Sequence, residues 1–248
     1  MHIVSKHSQV RAMVEVMKIT KCAHLDLADS DGRTPLSVAV EFDALAAVKA
    51  LISLGADLEA CSYWNGLTPL HFAAAGGFVT VADCLLKAKA QHNAKGRYLG
   101  RDGHCPLTIS AFEGRAATIS VLLNHKADIS AESANGFAAL HWAAQQGSAQ
   151  SVMLLLTAKA DAHMAPLGNR GCTPLNLAIR HGRLGIAAAL LAMMDATTRE
   201  ENAASSLQYV DELMKWDANV SRSMQALLGC QDVNAGKDSP SLDRPRSA

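Results

Sequence analysis

Ten histidines and six cysteines are the side chains of this 248-residue chain best suited to hold a metal ion. Zinc sites draw their ligands from close pairs, Cys about two to four residues apart and His about three to five apart, so that four donors converge on one ion. Cys22, Cys61, Cys84, Cys105, Cys172 and Cys230 are instead spread at wide, irregular intervals with no C-x-x-C. His104 and Cys105 are adjacent, so they cannot readily face one ion together. Motifs of the types GxxxxGK[ST], GxSxG, HExxH and GxGxxG do not occur. Asp57, Asp128 and Asp161 recur at one position of a repeating pattern, which fits a hydrogen-bonding role in a turn better than an acid–base pair. The expectation is no catalytic residue, no metal, no cofactor and no enzymatic activity.

Binding chemistry has more to work with. CSYWNG carries Tyr63 and Trp64, and NAKGRYLGRDG carries Lys95, Arg97, Tyr98, Leu99 and Arg101. Exposed aromatics beside arginine are the composition of interface hot spots. Tyr63, Trp64, Arg97, Tyr98, Leu99 and Arg101 are therefore the candidate partner-binding residues. The competing expectation is that Tyr63 and Trp64 pack on their own hairpin. A third loop, HMAPLGNRG, could extend the surface.

The elements that must position these loops form a repeat. GRTPLSVAV starts at Gly32, GLTPLHFAAAGG at Gly66, GHCPLTISAFEG at Gly103, GFAALHWAAQQG at Gly136 and GCTPLNLAIRHG at Gly171. The spacings are 34, 37, 33 and 35 residues. A second apolar block follows each start at one fixed offset: Leu51-Ile52, Leu85-Leu86, Leu122-Leu123, Leu155-Leu156 and Leu190-Leu191. Two features locked together in five copies mark a helix–turn–helix unit that stacks on its neighbours. Within it, Thr34, Thr68 and Thr173 can cap the first helix. Pro35, Pro69 and Pro174 fit its first turn, where a missing N–H does no harm. Gly77, Gly114, Gly147 and Gly182 can end it in a left-handed turn.

This pattern resembles the ankyrin repeat family, with its T-P-L-H core. The resemblance implies an all-α solenoid of about five repeats, in which hairpin tips and first helices line a concave face. It also implies that His71 and His141 tie hairpin to helix by hydrogen bonds. The repeats begin near residues 31, 65, 102, 135 and 170 of a domain at 1–196, after a partial unit at 1–30. Departures are Cys105 and Ala138 in place of the capping Thr, Ala139 in place of Pro, and Asp43 in place of the helix-ending Gly. These units are expected to be locally weaker. The hairpin Lys95–Gly103 exceeds the period and reads as a flexible insertion. Residues 197–230 read as a C-terminal helical cap or partner-binding segment, and the Pro/Ser-rich 231–248 as a disordered tail.

The chain has 23 basic and 23 acidic residues, so nothing in its net charge favours nucleic acid. Residues 63–183 nevertheless hold eleven basic and six acidic side chains, which favours a protein partner with an acidic patch. No apolar run of about 18 residues offers a membrane span. The start lacks a secretory pattern, which points to cytosol or nucleus. The expected function is a protein-interaction module, an adaptor or subunit. The alternative is a regulatory ankyrin fragment of a larger enzyme or channel.

Overall fold

The computed structural model describes residues 25–166 and 172–193. The C-terminal segments, Gly171 and most of the N-terminal partial unit lie outside the described residues.

Among the described residues ten short helices pair in chain order: α1 (Pro35–Glu41) with α2 (Leu45–Leu54), α3 (Pro69–Gly76) with α4 (Val79–Lys87), α5 (Pro106–Phe112) with α6 (Ala116–Asn124), α7 (Ala139–Gln146) with α8 (Ala149–Thr157), and α9 (Pro174–Arg180) with α10 (Leu184–Met193). Helices of two to three turns are unstable in isolation, so packing must supply their stability. Each first helix packs on the next first helix, and each second helix on the next second helix. Leu51, Leu85, Leu122, Leu155 and Leu190 are all fully buried in one core, opposite the equally buried Leu36, Leu70 and Leu175 of the first helices. Burying one such side chain is worth roughly 1.5–3 kcal/mol. Small residues such as Ala73, Ala111, Ala143 and Ala178 are also fully buried and let neighbouring helices approach closely.

The helix starts use the expected chemistry, with substitutions. The Thr34 hydroxyl accepts from the Ser37 N–H at 3.4 Å, and that of Thr173 from the Asn176 N–H at 3.2 Å. Where Cys105 replaces Thr, Thr108 takes over part of the cap. Its hydroxyl accepts from the Cys105 N–H at 2.9 Å and donates to the Cys105 carbonyl at 2.8 Å. At Ala138 the His141 ring accepts the Ala138 N–H at 3.2 Å. Both weakened units thus keep one half of a reciprocal cap. Asp43 adopts φ 50°, the left-handed conformation a glycine holds in the other repeats, one of the few side chains that tolerate it.

The hairpins between repeats are close-set. Gly103 has φ 75°, and a Cβ there would lie 2.6 Å from the Ala134 backbone nitrogen in the next hairpin. Only glycine permits both. Asp57, Asp128 and Asp161 close the turns as expected, each accepting from the N–H two residues on (Glu59 2.9 Å, Ser130 2.9 Å, His163 2.8 Å).

The insertion differs from its expectation. Gly96–Tyr98 and Arg101–His104 pair as antiparallel strands β1 and β2, with Leu99 and Gly100 at the turn, so this finger is folded. A backbone bond of 2.6 Å from Arg97 N–H to the Asn65 carbonyl ties it to the preceding hairpin. Another of 3.0 Å from Ala134 N–H to the Asp102 carbonyl ties it to the following one.

Candidate functional site

The two loops singled out by composition are neighbours in space, joined by the Arg97–Asn65 bond. Tyr63, Trp64 and Leu99 are 71%, 78% and 69% exposed, so the expectation that the aromatic pair packs away on its own hairpin fails. Tyr63 leans one side of its ring on Gly32 of the preceding hairpin, yet it, Trp64 and Leu99 keep large apolar surface in water that loses little by contacting a partner.

The remaining candidates divide. Arg97 is exposed and forms an ion pair with Asp102 at 3.3 Å. Tyr98 is not at the tip: its ring turns back against Phe112, edge-on at 6.1 Å, and its hydroxyl donates to Glu113 at 2.9 Å. Burial first, then the Glu113 carboxylate, pushes the Tyr98 phenol up to about 12. Arg101 lies over Trp142, its guanidinium carbon 5.0 Å from the ring centroid, and 5.9 Å from that of Phe112. Tyr98 and Arg101 therefore couple the finger to the first helices α5 and α7.

Beneath them is an aromatic cluster that spacing alone did not reveal. Trp142 meets Phe112 at 5.4 Å, Phe137 at 5.2 Å and His104 at 5.1 Å between ring centroids. These residues come from three stretches of sequence. The available signal was that Phe112 and Trp142 sit in successive first helices on the side facing the finger.

His71 and His141 are structural. The His71 Nδ1 accepts the Thr68 N–H at 3.0 Å, and its Nε2 meets the His104 carbonyl in the next hairpin at 3.1 Å. His141 repeats this with the Ala138 N–H and, at 2.9 Å, the Met164 carbonyl. An N–H donor on one side and a carbonyl on the other fix the proton on Nε2. Burial pushes both rings down to about 4, against the opposing pull of those carbonyls. His104 is buried with neither ring nitrogen hydrogen-bonded among the described residues, and burial followed by the Arg101 charge pushes it down to about 4. No group of three or more His, Cys, Asp or Glu is placed to hold a metal among the described residues. No described helix is long and apolar enough to cross a membrane.

Comparison with known proteins agrees with the architecture. A family model for ankyrin repeats (three copies) matches residues 59–133 and 129–200, and one for a single ankyrin repeat matches residues 31–63. Among similar proteins, the ankyrin repeat and KH domain-containing protein mask-1 of Caenorhabditis elegans is 33% identical over 65% of this chain and 6% of its own length. The human transient receptor potential cation channel subfamily A member 1 is 26% identical over 74% of this chain and 17% of its own. Neurogenic locus notch homolog protein 1 of Xenopus tropicalis is 32% identical over 60% of this chain and 6% of its own. The matched region is thus a small part of each relative. Stacked helix pairs, glycine-turned hairpins, histidine ties and these matches have one common explanation: the chain belongs to the ankyrin repeat family.

Proposed function

We propose that this protein is a non-catalytic protein-interaction module whose partner contacts the face carried by the hairpins and first helices. The observation that supports this reading most is the joint exposure of Tyr63, Trp64 and Leu99 on two fingers fastened to each other by backbone. Rigid aromatic anchors lose little conformational entropy on binding, and Arg97 beside them supplies charge. The basic excess of residues 63–183 favours an acidic patch on the partner, which would speed encounter. Work in the cytosol or nucleus fits this role.

The test is paired affinity capture with the wild type and a Tyr63→Ala/Trp64→Ala variant. The reading expects at least one protein retained by the wild type and lost from the variant at equal loading. Identical captured sets would overturn it. A second reading, regulation within a larger enzyme or channel, is favoured by the cation-channel relative, which matches 74% of this chain. It expects the captured partner to be a channel or enzyme whose activity changes when the chain is added.

A further inference from the structure

A cavity of about 380 Å³ opens on the hairpin face between the fourth and fifth repeats. Its size is near the lower end of small-ligand sites, enough for one or two side chains of a peptide. Arg101 reaches it from the finger, Asn135 and Phe137 from the next hairpin, Trp142 and Gln145 from α7, and Arg180 from the end of α9. No acidic side chain lines it among the described residues.

The surface arginines differ in what holds the guanidinium: Arg115 and Arg183 donate to the Ala75 and Gln145 carbonyls at 3.1 Å and 3.5 Å, and others are paired with acids. Arg33 contacts Asp29, Asp31 and Glu41 within 3.3 Å, and Arg97 holds Asp102, the acid next to the cavity. Arg101 and Arg180 have no carboxylate partner among the described residues, although both are exposed. Arg101 is also held against the Trp142 and Phe112 rings. A stacked guanidinium keeps its N–H edges free and surrenders less rotamer entropy when they are used. The side-chain amides add donors. Asn135 accepts from the Ser133 hydroxyl at 2.6 Å through Oδ1, which leaves its NH₂ group to point elsewhere, and the Gln145 side chain has no hydrogen-bond partner among the described residues. The Trp142 indole N–H is buried and unpartnered among the described residues as well. Two guanidinium groups and two side-chain amides thus share one cavity, with His181 also at its wall and no carboxylate of the described residues among them. A carboxylate supplies up to four lone-pair sites and accepts guanidinium N–H groups in pairs.

We propose that this cavity is a carboxylate-reading subsite, in which an Asp or Glu side chain of a partner peptide lies between Arg101 and Arg180 with its methylene carbons against Phe137 and Trp142. The inference rests on the reading of the hairpin face as the partner surface and adds what that face recognises. A hydrogen-bonded, doubly paired carboxylate on stacked aromatics gives specificity that a diffuse basic patch does not.

The test uses the full chain labelled with fluorotryptophan, with the Trp142 and Trp64 resonances assigned by Trp→Phe substitution. It is titrated with acetyl-Glu-Glu-Leu-Glu-Glu-amide and with the same peptide carrying Gln for Glu. The subsite expects a saturable shift of the Trp142 resonance by the Glu peptide, with the Gln peptide weaker by about tenfold or more. Arg180→Gln, checked by an unchanged melting curve, is expected to abolish the difference between the peptides, and Arg180→Lys to retain part of it. No movement of Trp142, equal shifts by both peptides, or full binding by Arg180→Gln overturns the subsite. So does a thymidine oligonucleotide that moves Trp142 at lower concentration than the Glu peptide, since the site would then read phosphate. Movement of Trp64 alone overturns the subsite and leaves the partner-surface reading standing. A Trp142 response beside identical captured sets does the reverse.

Discussion

His71 and His104 are both buried histidines at the junction of the second and third repeats, with opposite hydrogen-bond states. Replacing His71 with Phe strands the Thr68 N–H and the His104 carbonyl, an expected loss of about 1–3 kcal/mol. Replacing His104 with Phe strands nothing among the described residues, because the ring is already unpartnered, and it extends the cluster around Trp142. That change is expected to leave stability equal or raised. The pH dependence follows from the same burial. Both rings titrate near 4 in the folded state, against about 6.5 in an unfolded chain. Between these values the unfolded state binds protons that the folded state does not. Stability is therefore complete above about pH 6.5 and falls as pH drops towards 4. His104→Phe is expected to flatten that decline, at most by about 1.4 kcal/mol per pH unit. Thermal melts of both variants from neutral to acid pH check this. A decline as steep in His104→Phe as in the wild type would show that His104 does not titrate as described. The ties of His71 and His141 were legible from their motif position. The orphaned ring of His104 was not, since it depends on which hairpin and which helix come to surround it.

At the level of elements, the finger Lys95–Gly103 shows where spacing stops being informative. Its extra length was visible in the repeat count, but its pairing into β1 and β2 was not. The contacts that hold it reach Asn65, Glu113, Ala134 and the ring of Trp142, all distant from it in sequence by ten residues or more. Replacing Arg97–Arg101 with a short flexible linker therefore removes folded contacts, and an expected loss of about 1–3 kcal/mol appears in denaturant melts. Leu99→Ser removes an exposed tip and is expected to stay within about 0.5 kcal/mol of wild type. A trimmed chain as stable as wild type would mean the finger is fastened to nothing. The helix pairs are the opposite case. Every repeat places a Leu at the same offset, and that offset alone located the core. Leu155→Ala opens a cavity where α8 meets α6, α7 and α10. The expected cost is about 2–5 kcal/mol. More than one repeat should lose protection in native-state hydrogen exchange, and loss confined to α7 and α8 would contradict a shared core.

Over the whole molecule, the described repeats have two unlike faces. Second helices present an outer surface where Asp83 is already satisfied, by an ion pair with Lys87 at 2.6 Å and a hydrogen bond with His125 Nε2 at 3.0 Å. The hairpin face instead carries the exposed aromatics and the unpaired arginines. Such asymmetry suits a solenoid that uses one side for structure and the other for recognition. Sequence composition pointed to the exposed tips. The partial burial of Tyr98 and the stacking of Arg101 became visible only once Phe112 and Trp142 were placed side by side. The most direct test of recognition by the hairpin face is amide hydrogen exchange on the full chain, with and without a purified captured partner. New protection is expected at residues 62–66 and 95–103 and at the C-terminal ends of α5 and α7, with the second helices α4, α6 and α8 unchanged. Protection confined to those second helices would contradict it.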